Sequence, residues 1–174
     1  MPPFSGSATA RLLPAVGTWT VHEPMIATFS VGNLGKRVAG TIPVTSAEVD
    51  VAEDGTVRGA SAELDIAAID TGHTRRDRDL RKPNLLDLAN HPRMTFSSTR
   101  LAEHDSGWTV AGLLTVKGTT REISLDATAE LQADGTVRLR LTGQLDRTDY
   151  GIKAPRFMIG MTVDIDIDIT LRRQ

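Results

Sequence analysis

From Met161 to Leu171 every second residue is apolar: Met161, Val163, Ile165, Ile167, Ile169 and Leu171 alternate with Thr162, Asp164, Asp166, Asp168 and Thr170. Successive side chains of a β-strand point to opposite faces, so the segment predicts a strand with one dry face and one wet face. The same period of two runs through Ile123, Leu125, Ala127, Ala129 and Leu131, and again through Val137, Leu139 and Leu141. Further strands are predicted at 26–32, 38–51, 57–69, 93–103 and 107–117. Asp54-Gly55, Ser106-Gly107, Lys117-Gly118 and Asp134-Gly135 supply the turn chemistry between many of them. Eight such segments predict an all-β fold, an eight-stranded antiparallel up-and-down β-barrel, because closing the sheet removes its exposed edges. PNLLDLANH at 83–91 breaks the pattern. Leu85, Leu88 and Ala89 fall at helical spacing between Pro83 and Pro92, which predicts a short helix or a structured loop at one barrel end. A long connection from Asp146 to Ile159 precedes the last strand and carries Tyr150, Phe157 and Met158.

Composition supports this reading and raises a question about the interior. The 174 residues suit one domain, and they include 21 Thr, 12 Val and 10 Ile but only seven aromatics. The apolar alternation repeatedly offers small residues, with Ala60, Ala62 and Ala68 around Leu64 and Ile66, then Gly112, Ala127 and Ala129. An empty lumen forfeits dispersion contacts at roughly 24 cal/mol per Å³ of cavity. Either a strongly twisted barrel packs shut, with residues 83–91 as a plug, or an apolar ligand fills the space; periodicity leaves both open.

Charge and motif content exclude several function classes. A net charge of −2 offers no bulk attraction to nucleic acid or to an anionic membrane. Without cysteine there is no disulfide, thiolate nucleophile or Cys-ligated zinc. No run of ~18 apolar residues is present to span a bilayer as a helix. The first 21 residues carry one charge, Arg11, and no long apolar core, so a cytoplasmic location is expected. His22, His73, His91 and His104 are scattered, and no G-x-S-x-G, P-loop or G-x-G-x-x-G occurs. No catalytic group, metal or cofactor is therefore expected.

From Ile69 onward the chain resembles the YceI-like family of lipid-binding, lipocalin-like barrels. The resemblance rests on Ile69-Asp70-Thr71, Arg76-Asp77-Arg78-Asp79-Leu80, Leu86-Asp87 and Pro92-Arg93-Met94-Thr95-Phe96. GLLTVKGTTREISL at 112–125, RTDYGI at 147–152 and GTWTV at 17–21 extend it over about residues 17–171. Two departures stand out. Asp79 occupies the place of the family's usual His, and His22-Glu23-Pro24-Met25 precedes Phe29 in a first strand one residue shorter than the family's. Pro2, Pro3, Gly6 and Ser7 predict a flexible arm at 1–16, and the resemblance implies a barrel domain at 17–174 holding a long-chain isoprenoid or similar amphiphilic lipid. Family members include dimers, which makes a homodimer possible.

The predicted lumen-lining, ligand-binding residues are Phe29, Val31, Leu64, Ile66, Leu80, Leu85, Met94, Phe96, Trp108, Val110, Leu114, Tyr150 and Phe157. The charged run Arg75, Arg76, Asp77, Arg78, Asp79, Arg81 and Lys82 suits either a head-group site at the mouth or, with greater weight, a loop held by ion pairs. Asp164, Asp166 and Asp168 stand ~6.5–7 Å apart along one strand face, too far to share an ion, and Arg138 and Arg140 are expected as cross-strand partners. Arg147, Asp149 and Tyr150 are expected to pin the long connection. The leading function is sequestering or carrying a lipid; an enzyme using the same cavity and a ligand-free interaction module are the alternatives.

Overall fold

The computed structural model describes residues 17–21, 25–154 and 159–173. These residues form nine strands: β1 (Gly17–Val21), β2 (Met25–Asn33), β3 (Lys36–Val51), β4 (Val57–Leu64), β5 (Met94–His104), β6 (Gly107–Val116), β7 (Thr119–Leu131), β8 (Val137–Asp146) and β9 (Ile159–Arg173). One short helix, α1 (Thr74–Leu80), lies between β4 and β5. From β2 to β9 each strand pairs with the next in antiparallel fashion, and β9 returns to β2. β1 pairs with β3 at Thr18↔Asp50 and with β9 at Thr20↔Arg172, the same two strands that flank β2. β1 and β2 thus share one position in the wall, and the nine segments close an eight-stranded barrel.

All eight predicted strands are present, with two local corrections. The segment predicted as a strand over 57–69 stops at Leu64, and Ile66–Ala68 forms a 3-10 turn, which takes Ala68 out of the wall. The segment at 83–91 is a structured loop, one of its two predicted forms, and the short helix lies upstream, in the charged run for which a loop held by ion pairs is expected. His73 caps α1 by accepting the Arg76 amide at 3.2 Å, and Asp77 sits in the first turn, where negative charge is favoured. In 83–91, by contrast, Asp87 adopts a left-handed φ of 49° that interrupts a helix. Its carbonyl accepts the amides of Asn90 and His91, and its carboxylate accepts the Asn90 side chain.

The two ends of the barrel differ. Tight turns at 52–56 and 132–136 close one end, each built on an aspartate that accepts hydrogen bonds two residues ahead: Asp54 from Thr56 and Asp134 from Thr136. Those bonds hold both carboxyls below the ordinary carboxylate value. Beneath these turns Trp19, Val51, Val137 and Leu171 are 0–1% exposed. The opposite end carries the long connections, 65–93 and the segment beginning at Arg147. On the outer wall Arg138 pairs with Asp168 and Arg140 with Asp166, the expected cross-strand pairing. Asp164 binds Arg37 and accepts a hydrogen bond from Gln144 at 2.6 Å.

Candidate functional site

The inward faces enclose a cavity of about 560 Å³, walled almost entirely by apolar side chains. Its size falls within the ~300–1,000 Å³ typical of small-molecule sites. Along β9 the inward residues grade from partly exposed Val163, Ile165 and Ile167 to buried Ile169 and Leu171, so the lumen is open toward the long connections and packed shut at the tight turns. The strand rise of ~3.4 Å and a tilt of ~35–45° make the distance from Val163 to Leu171 roughly 20 Å along the barrel axis.

Twelve of the thirteen predicted lining residues border this cavity. Phe29 and Val31 come from β2, Leu64 from β4, Met94 and Phe96 from β5, and Trp108, Val110 and Leu114 from β6. Ile66 enters from the 3-10 turn, Leu80 from the end of α1, Leu85 from the loop and Tyr150 from the last connection. Phe157 lies outside the described residues. Beyond the predicted lining stands a wall formed by β7, β8 and β9, including Ile123, Leu139, Leu141, Leu145, Ile165 and Ile167. The signal was available: all but Leu145, which lies beyond Gly143, are apolar positions of the three cleanest alternations in the chain.

Small inward residues do not all leave space. Ala60, Ala62 and Ala127 border the cavity, but Gly112 lies beneath the Phe96 ring, which would stand 2.4 Å from a Cβ placed there. Gly40 is covered in the same way by Phe29, and Gly143 by Leu125.

Polar residues gather at the open end. Thr71, Arg76, Asp79, Asn84 and Lys153 border the cavity there, while Thr28, Glu48 and Ser61 lie elsewhere along the strands. The Arg76 guanidinium donates to the Thr71 hydroxyl and carbonyl, both at 2.8 Å. Thr71 in turn donates its amide and hydroxyl to Asp77. Arg76 and Asp77 therefore act together on Thr71 and fix the start of α1 against the rim. Asp79 pairs with Lys82 at 3.1 Å. Among the described residues neither Arg76 nor Lys153 has a carboxylate partner.

The last connection is pinned by Arg147, which is 4% exposed. Its guanidinium donates to the carbonyls of Ile152, Ala154, Ile159 and Gly160 at 2.7–3.2 Å. Lys117 adds a bond to the Gly151 carbonyl at 2.9 Å. Tyr150 turns inward beside these groups, and its hydroxyl, like the Trp108 indole N–H, is buried without a hydrogen-bond partner among the described residues. Burial pushes the Tyr150 pKa up, with neighbouring Asp149 adding to the shift, so the phenol stays neutral. Asp149 uses its backbone carbonyl to accept a bond from Arg121. Among the described residues no three His, Asp or Glu side chains gather as a metal site. No described helix is long and apolar enough to cross a membrane.

A family model described as a YceI-like domain matches residues 19–171. Protein YceI of Escherichia coli O6:H1 is 30% identical over 111 residues, covering 61% of this chain and 58% of that protein. A UPF0312 protein of Pectobacterium atrosepticum is 33% identical over 86 residues, 42% of this chain and 45% of that protein. The matched regions thus span about half the length of these relatives. Among solved structures, BcnA of Burkholderia cenocepacia superposes with a TM-score of 0.75 at 18% identity, covering 83% of this chain and 94% of that one. A polyisoprenoid binding domain from Saccharophagus degradans, implicated in plant cell wall breakdown, gives a TM-score of 0.63 at 15% identity over 91% of this chain and 99% of that one. At these identities the likeness is one of fold.

Proposed function

The chain belongs to the YceI-like domain family, and we propose that it binds a long-chain isoprenoid or similar amphiphilic lipid inside the barrel, sequestering or carrying it. The observation that carries this reading is the apolar cavity, open at the end where Arg76, Asn84 and Lys153 form a polar rim. The structural neighbour described as a polyisoprenoid binding domain supports the ligand class. An apolar chain in the lumen leaves water at roughly 25 cal/mol per Å² of buried surface, or ~0.8 kcal/mol per methylene. The rim keeps the polar head at the solvent boundary, where Arg76 and Lys153 favour an acceptor-rich or anionic group. Affinity should therefore rise with chain length until the lumen is filled, then level off.

Binding rather than catalysis is favoured because the lumen wall is almost entirely apolar: Arg76, Asp79 and Lys153 border it at the rim, and the guanidinium of buried Arg147 is engaged by four backbone carbonyls. Native mass spectrometry of protein purified from its own host, followed by organic extraction, tests the proposal. A stoichiometric lipid adduct is expected, and the same spectra report whether the carrier is a monomer or a homodimer. An apo mass together with no uptake of added prenols would sink the reading.

A further inference from the structure

Two inward aromatic rings occupy the space over glycines. A Cβ built on Gly40 would stand 2.4 and 2.6 Å from the Phe29 ring, and one on Gly112 would stand 2.4 and 2.7 Å from the Phe96 ring. Carbon atoms in contact prefer ~3.5–4.0 Å, so neither ring could keep its place beside an alanine. Neither glycine has a φ that side chains avoid, in contrast to the turn glycines at 55, 118 and 135. Gly40 and Gly112 are therefore present for space, not for backbone conformation.

The direction of that space decides the consequence. Phe29 and Gly40 are directly paired across β2 and β3, so the ring has the wall behind it and the lumen in front. Both rings are only partly buried although they face inward, because one side of each borders the cavity. A ring lifted by a Cβ can move only into the lumen, by roughly 1 Å, to regain normal contact distances. That displacement is comparable with the extra half-width of a methyl-branched chain over a straight one.

On the reading that the lumen takes an apolar chain, we propose that the Phe29–Gly40 and Phe96–Gly112 pairs set the bore of the barrel and admit methyl-branched chains in preference to straight ones. Gly40 is the position to test. The three atoms nearest its Cβ belong to the side chains of Phe29 and Thr71, whereas one on Gly112 would also strike the Ser97 carbonyl at 2.6 Å.

The experiment is competitive uptake of tetramethylhexadecanol against hexadecanol, two alcohols of equal main-chain length that differ only in methyl branches, read by native mass spectrometry. The wild-type protein should favour the branched alcohol. Gly40→Ala should lower the branched-to-straight ratio by about tenfold, the scale expected when one or two methyl groups lose their place. Gly40→Ala combined with Phe29→Leu should restore the ratio, because the smaller side chain vacates the lumen. Phe29→Trp narrows the bore on an intact glycine and should reproduce the loss, which keeps the test decisive if Gly40→Ala does not fold. A folded Gly40→Ala or Phe29→Trp protein with the wild-type ratio overturns the bore assignment while leaving lipid binding intact. Uptake of both alcohols by the wild type without preference does the same. Uptake of neither overturns lipid binding itself, and the bore assignment with it.

Discussion

β9 crosses two regions built from the same kind of residue and filled in different ways. Near its end, Leu171 is fully buried against Val137 and β1, under the tight turns. Two pleats and more toward the other end, Ile167, Ile165 and Val163 face the same interior but remain partly exposed around a cavity. Aliphatic identity does not separate them. What does is the partner across the barrel: Trp19 and Trp108 bring indole bulk to the closed end, while Ala27, Ala60 and Ala62 contribute little and Gly40 and Gly112 leave room for the rings over them. Aromatic placement, not aromatic number, separates plug from lumen.

The comparison is broken most directly at the plug. Trp19→Ala should cost about 3–5 kcal/mol, as large-to-small changes at fully packed sites do, measured by denaturant unfolding. A smaller loss than that of Phe29→Ala would show that the closed end is not the better packed. Next, a matched pair on one strand sharpens the contrast. Leu171→Ala should cost about 2–5 kcal/mol and Ile165→Ala nearer ~1 kcal/mol, since the second side chain already borders open space. Adding a prenol at a hundred times its Kd for the wild-type protein should stabilise the Leu171→Ala protein by about 2.7 kcal/mol, and Ile165→Ala, whose Kd is weaker, by less.

Arg147→Met keeps much of the side chain's bulk but leaves four carbonyls of the rim connection without that donor. A loss of about 1–3 kcal/mol is expected, with faster release of bound lipid in a transfer assay. Equal destabilisation with unchanged release would detach this connection from the mouth.

The smallest effect is expected outside the barrel. Hydrogen bonds from Arg138 hold the Asp168 carboxyl below its ordinary 3.8. A carboxylate whose folded pKa is depressed stabilises fully above the unfolded value, and that contribution disappears as pH falls through the folded one. Asp168→Asn should therefore lower the melting temperature slightly at neutral pH and converge with wild type below about pH 4, the difference shrinking with salt. A large loss would mean that the outer ladder, not the core, holds the wall together.

Much of the wall was legible because a sheet with one dry face writes its register into the sequence every second residue. Val137 to Leu141 and Met161 to Leu171 show this most clearly, and their ion pairs could be assigned strand to strand. Elsewhere the code slips. The β3–β4 pairing shifts between Val44 and Ser46, so the inward set on β3 changes from Ile42 and Val44 to Ala47, Val49 and Val51. A bulge adds a residue without a sequence mark strong enough to read. α1 was hidden for another reason: of its seven residues only Leu80 is a large apolar one and none is fully buried, so no apolar stripe marks it, and its position depends on His73, Thr71 and Asp77.

The chain alone pointed to a closed antiparallel barrel, because eight alternating segments joined by tight turns make an antiparallel sheet with one dry face, and closing it removes the exposed edges. Its ordered motifs determined the family. Tertiary structure alone decided which end is sealed and how wide the lumen is, because both depend on which residues meet across the barrel. Phe29 meeting Gly40 is such a fact. The sequence separates them by eleven residues, and only the register between two strands puts the ring where a Cβ would have been.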